Sequence, residues 1–175
     1  MRRKTLLFVA ICFGLILPRF TFAAETSGSR ELLARYVIEL QSAPDDQALR
    51  ERIIRLERTL TPSPAVPEAA KRSLAKATMF HQEASDIGGR APLAMSAYAF
   101  AISSYKDALL IAPWWPEAYY GLGASLQGAG RYGDAVAALN LYIVTGPDAA
   151  GASAAADRLC AIAVAVQRDR ALSKQ

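Results

Sequence analysis

The stretch PEAYYGLGASLQGAGRYGDAVAALNLYIVTGP, residues 116–147, decides the fold. Tyr119, Leu122, Gly123 and Leu126 are spaced so that they share one face of a helix. Gly128-Ala129-Gly130 ends that helix, because glycine takes the left-handed conformation of a helix C-terminus without a Cβ penalty. Tyr132 follows the turn, and Asp134 places negative charge in the first turn of a second helix. There Ala135, Leu139 and Tyr142 again lie on one face, and Thr145-Gly146-Pro147 stops the run. The stretch therefore reads as two amphipathic helices folded into an antiparallel hairpin by a tight glycine turn. Gly123 and Ala135 are small where the two backbones must come close.

Upstream, Tyr98, Ala101, Tyr105, Ala108 and Pro113 repeat the second half of this pattern, so 98–112 reads as the second helix of a preceding hairpin. Its first helix does not follow at the same interval, because Ile87-Gly88-Gly89-Arg90-Ala91-Pro92 stands in the way. A helical pattern lies further back, from Glu68 to about Ala84, with Pro67 at the first position, where its missing N–H costs nothing. Ala70, Leu74, Ala77 and His81 form its stripe. The expectation is a loop or an extra helical turn at Ser85–Pro92.

These residues resemble the tetratricopeptide repeat, a helical hairpin of about 34 residues. The resemblance rests on Tyr119, Leu122, Gly123, Leu126, Gly130, Tyr132, Ala135, Leu139, Tyr142 and Pro147. It implies an all-α fold: a short stack of such hairpins forming an α-α superhelix. The stack would comprise a degenerate repeat with an insertion over 68–113 and a complete repeat over 116–147, together 68–147. An N-terminal helical pair (24–60), a Pro-rich linker (61–67) and a C-terminal capping helix with its tail (148–175) flank it. Leu33, Tyr36, Val37 and Leu40 mark the first helix of the pair, over 30–41. Leu49, Ile53, Leu56 and Leu60 mark the second, over 48–60, with Asp46 as its N-cap. The pair reads as one more degenerate hairpin or as a separate unit. Ala152, Ala155, Leu159, Ile162 and Val166 form the stripe of the closing helix, and Arg168-Asp169-Arg170 leads into a polar tail expected to fray. The whole is similar to exported bacterial repeat proteins with a Pro-Trp-Trp joint.

Residues 1–23 read as a secretory signal peptide. Met1-Arg2-Arg3-Lys4 is basic, Thr5–Leu17 is apolar, Pro18 breaks the run, and Thr21-Phe22-Ala23 offers a cut after Ala23. The expected location is the periplasm or cell envelope; the alternative is a membrane anchor formed by an uncut signal. Four of the 20 Lys and Arg (Arg2, Arg3, Lys4, Arg19) lie in this segment and no Asp or Glu does, so the remainder is balanced between 16 basic and 16 acidic side chains. That balance excludes nonspecific nucleic-acid binding, which needs a concentrated basic face. At 53% apolar the chain is not disordered.

The residues offer little chemistry. His81 and Cys160, distant in sequence, do not make a zinc site. Asp45-Asp46 lacks the ligand spacing of a calcium loop. Gly121-Leu122-Gly123 lies inside a helix with no preceding strand, so it is not a dinucleotide loop. No Ser or Asp can be placed near His81 from sequence alone. Cys160 reads as a small buried residue, with an intermolecular disulfide or a nucleophile as the sharper readings. Arg50-Glu51-Arg52 with Arg55, Glu57 and Arg58 alternates in sign and reads as a solvated helix face. No metal, cofactor or enzymatic activity is expected.

The resemblance implies binding of a protein or peptide in a concave groove lined by the first helix of each hairpin. Tyr120, Ala124 and Gln127 would line it in the complete repeat, and Lys71, Thr78 and His81 in the degenerate one. The family's clamp for a C-terminal acid does not fit Glu117, Tyr120 and Ala124. Trp114 and Trp115 at the joint are candidates for core packing or for an interface. Self-association into a homodimer is the alternative role.

Overall fold

A computed structural model describes residues 21–88 and 91–173, the side chains of 21–26 excepted. All but the last three residues of the expected signal segment lie outside the described residues, as do Gly89 and Arg90 of the interhelical break. Among the described residues there are seven helices and no strand: α1 (Thr21–Ser42), α2 (Gln47–Glu57), α3 (Glu68–Ile87), α4 (Pro92–Ile111), α5 (Pro116–Gly128), α6 (Tyr132–Val144) and α7 (Ala149–Leu172).

The hairpin over 116–147 forms as its sequence dictates. Gly130 takes φ +73° in the turn, where other residues are strained. Arg131 N donates to Leu126 O at 2.8 Å across the turn. Gly123 lies against Leu139, and Ala135 and Leu139 are fully buried. α3 and α4 form a second hairpin, and α4 packs on α5. The expected insertion is absorbed mainly as helix: α3 and α4 are 20 residues each, whereas α5 and α6 are 13. A seam of Ala70, Ala77 and Ala84, one every second turn and all fully buried, lets α3 follow α4 along its length.

α3, α5 and α7 lie side by side, since α5 touches both α3 and α7. α4 packs on α3 and α5, and α6 on α5 and α7. α7 packs on α6 and α5 through Ala155 and Ile162. It continues to Leu172, so Arg168-Asp169-Arg170 is helical. Its length and composition would also allow it to cross a membrane. Its outward side is mixed: Val164 (68%) and Leu172 (63%) are exposed, as are Asp157, Gln167, Arg168 and Arg170.

The N-terminal pair does not extend the row of hairpins. α1 meets α4 and α2 meets α6, and neither pairs with α3. Leu33, Leu40, Leu49, Ile53 and Leu60 form a core of their own that covers Leu110 and Trp114. Asp46 caps α2 as its position suggests, accepting from Leu49 N at 2.9 Å.

The charged face of α2 is solvated at Arg52, Arg55 and Arg58, as expected, but not at Arg50. Arg50 is 8% exposed and donates to Leu109 O (3.3 Å) and Pro44 O (2.6 Å). Arg58 donates to Val144 O at 3.1 Å. Leu109 and Val144 lie in the last turns of α4 and α6, which contain no basic residue of their own. α2 therefore supplies the cations that the carbonyl ends of both helices attract. Long arginine stems cover the apolar surface on the way.

Candidate functional site

Two open clefts adjoin along the row of α3, α5 and α7, and together they form the parts of a candidate groove. One part, about 490 Å³, runs from Pro147 and Asp148 past Tyr142, Glu117 and Tyr120 to Arg158 and His81. The other, about 390 Å³, continues from Arg158 and His81 past Gln127 and Tyr98 to Ser85 and Tyr132. Arg158, His81 and Ala124 belong to both.

Of the residues expected in a groove, His81, Tyr120, Ala124 and Gln127 converge here. Thr78 stands at the edge: its hydroxyl lies 3.4 Å from that of Tyr105, which lines the first part. Lys71 lies apart, exposed and paired with Glu68 at 2.6 Å. Trp114 is half-buried beneath the N-terminal pair, and Trp115 is half-buried against the main core. Cys160 is exposed, not buried as its apolar neighbours suggested. It lies on the outward side of α7, which no other helix covers.

Sequence reasoning overlooked Arg158, because the closing helix was read by its apolar stripe alone. The signal was present: Arg158 follows Ala155 by three residues and precedes Ile162 by four, so it points with them. Its guanidinium stands 5.0 Å from the Tyr120 ring centre and donates to Gln127 Oε1 at 2.9 Å. Tyr120 in turn lies 5.3 Å from Tyr142, ring centre to ring centre.

Glycines on α5 make room for this arrangement. A Cβ on Gly121 would strike the Tyr105 ring, and one on Gly128 the Tyr98 ring. Both tyrosines come from α4 and reach the groove only because α5 is stripped to backbone at those two points.

The chain matches no family model, no curated protein and no solved structure. The chemistry of the groove has to be read from its own residues. His81 Nδ1 lies 2.9 Å from Ser125 Oγ, a pairing that resembles half of a nucleophilic dyad. Two observations argue against that role. Ser125 is fully buried, so its hydroxyl meets no incoming substrate. The charged group beside His81 is the Arg158 cation, whereas an orienting carboxylate is what an imidazolium needs. The bond instead locks the imidazole ring, which also lies 5.8 Å from the Tyr98 ring.

Burial, and secondarily Arg158, push the His81 pKa down from its ordinary value. The folded chain thus holds His81 neutral more firmly than the unfolded chain does. Its contribution to stability is complete above the unfolded value of about 6.5 and declines as pH falls from there toward the lowered folded value. The expected result is a fall in melting temperature between about pH 7 and 5 that is smaller in His81→Gln. Equal falls in the two chains would remove His81 from the account. Burial also raises the phenols of Tyr105 and Tyr142, with Asp148, Tyr120 and Glu117 adding to the rise at Tyr142.

A second cleft, about 340 Å³, lies where α2 meets the hairpins and is lined by Arg50, Lys106 and Arg131 among others. Its cations are already matched within the chain. Arg50 serves carbonyls, Lys106 lies 3.2 Å from Asp45, and Arg131 lies 2.5 Å from Asp134. Among the described residues no group of three or more His, Cys, Asp or Glu side chains converges as a metal site would require.

Proposed function

We propose that this chain is a non-enzymatic protein-interaction module of the tetratricopeptide type, acting in the cell envelope and holding an extended or helical segment of a partner in the groove between α3, α5 and α7. The observation that carries the reading is the convergence of Tyr120, Ala124, Gln127 and His81 from two helices onto two adjoining clefts that share His81, Ala124 and Arg158. A groove floored by aromatic rings on rigid helices buries much partner area at small cost in side-chain ordering. The side-by-side row of α3, α5 and α7, with α4 and α6 packed against it, supports the repeat reading. The location follows from residues 1–23, read as a cleavable signal. Sequencing the N-terminus of exported protein tests that location, with a start at Ala24 expected.

Tyr120→Ala is the direct test of the groove. Tyr120 is half-buried at the edge of the main core, and its ring meets Tyr142 of α6 and the guanidinium of Arg158. The variant should keep its helical circular dichroism yet capture its partner from an envelope extract about tenfold less well, as truncation of an aromatic hot spot does. Undiminished capture would place the binding surface elsewhere.

Self-association is the second reading, favoured by the exposed apolar side chains Val164 and Leu172 on α7. Light scattering at low concentration decides it: a dimer mass supports it and a monomer mass removes it.

A further inference from the structure

The charges of the groove are unevenly distributed, and the imbalance has a consequence for what enters it. Arg158 stands where the two parts join. It is held by an aromatic face and by the side-chain amide of Gln127, both uncharged. Its Nε is shut off from solvent and has no acceptor. Arg158 takes no part in the ion pairs found among the described residues, and it is the cation that lines both clefts. The acids of the groove, Glu117 and Asp148, lie with Tyr142 in the part that ends at Pro147. A half-buried guanidinium that is fixed in place but not neutralised is poised for an incoming anion, because part of the desolvation and ordering cost is met before binding.

We propose that Arg158 receives an acidic side chain, Asp or Glu, from within the bound segment, and that the end of the groove at Glu117 and Asp148 favours a basic flank. This rests on the groove-binding reading above and specifies its ligand. The acid belongs to an internal residue, because a cleft lies on either side of Arg158 and a chain that occupies both reaches Arg158 with its middle. A terminal carboxylate seated at the Pro147 end would instead face Glu117 and Asp148. A peptide with the opposite order, basic at the centre and acidic at that end, is repelled at both places.

The test uses immobilised full-length protein and combinatorial libraries of nonamer peptides, acetylated and amidated, with the central residue fixed as Glu, Gln or Lys. Retention of the Glu library should exceed that of the Gln library about tenfold, and that of the Lys library by more. In Arg158→Gln the preference for Glu should vanish, while Arg158→Lys, which keeps the charge but not the planar fork, should retain part of it. Circular dichroism confirms that both variants are folded. A Gln library with a free C-terminal carboxylate should bind no better than its amidated form; if it binds like the Glu library, the anchor is a chain end and the internal assignment falls. Equal retention of Glu and Gln overturns the acidic assignment and leaves groove binding standing. Failure of every library to bind removes both.

Discussion

A Tyr119→Ala chain is expected to lose about 3–5 kcal/mol of stability, and Tyr119→Phe about 1–2. Tyr119 is 1% exposed, and its hydroxyl donates to the buried carbonyl of Pro113 at 2.8 Å. Burial pushes its phenol up while the neighbouring Arg50 guanidinium opposes the rise. The ring thus sits where the joint after α4, the start of α5 and the buried arginine of α2 come together. Removing the ring opens a cavity in the main core and leaves the Pro113 carbonyl bare. Removing the hydroxyl alone leaves the carbonyl bare but keeps the volume. Urea unfolding of both variants separates the two contributions. If Phe costs as much as Ala, hydrogen bonding and not packing anchors this joint; if Ala costs under about 1 kcal/mol, the ring is not in a packed core at all.

The same region illustrates what could be read from the sequence and what could not. Tyr119, Leu122 and Leu126 are buried as their spacing required, and Gly130 adopts the backbone that its turn demanded. Such features are local: a helix face and a turn are set by residues within a few positions of one another. The position of α1 and α2 is not local. Their stripes declared two helices with a face to bury, but which surface received them depended on Leu110 and Trp114 being left bare behind α4. Arg50 was misread for a related reason. A charge pattern that alternates along a helix looks the same whether the tips end in water or on another helix's carbonyls. The groove lies between these cases. His81, Tyr120, Ala124 and Gln127 were expected in a groove through the resemblance to a helical repeat, whereas Tyr98 and Tyr105 enter through Gly128 and Gly121 from a different helix. No spacing rule links those partners. Arg158 was legible, since it shares the direction of Ala155 and Ile162.

Gly123→Ala is expected to destabilise the chain by about 1–2 kcal/mol, against the usual trend for a helical glycine. In an open helix the same change gains up to about 1 kcal/mol, because alanine loses less backbone entropy. Gly133 provides that control: nothing lies within 4 Å of where its Cβ would be, so Gly133→Ala should be neutral to stabilising. At Gly123 the new carbon would lie 2.8 Å from Leu139 Cγ and 3.0 Å from Cδ2, with the Ala135 carbonyl at 3.5 Å. Leu139 is fully buried, in an interior where side chains are close-packed. The loss should therefore depend on Leu139. Leu139→Ala alone costs about 2–5 kcal/mol, but in that background Gly123→Ala should cost nothing or recover some stability, a coupling of about 1 kcal/mol or more in the double-mutant cycle. The groove depends on this contact as well. The approach of α6 to α5 at Gly123 sets the rotation of α5, and with it the direction in which Tyr120, Ala124 and Gln127 face. A Gly123→Ala chain that gains stability as Gly133→Ala does would mean that the two helices are not in close contact there, and the groove built on α5 would lose its support.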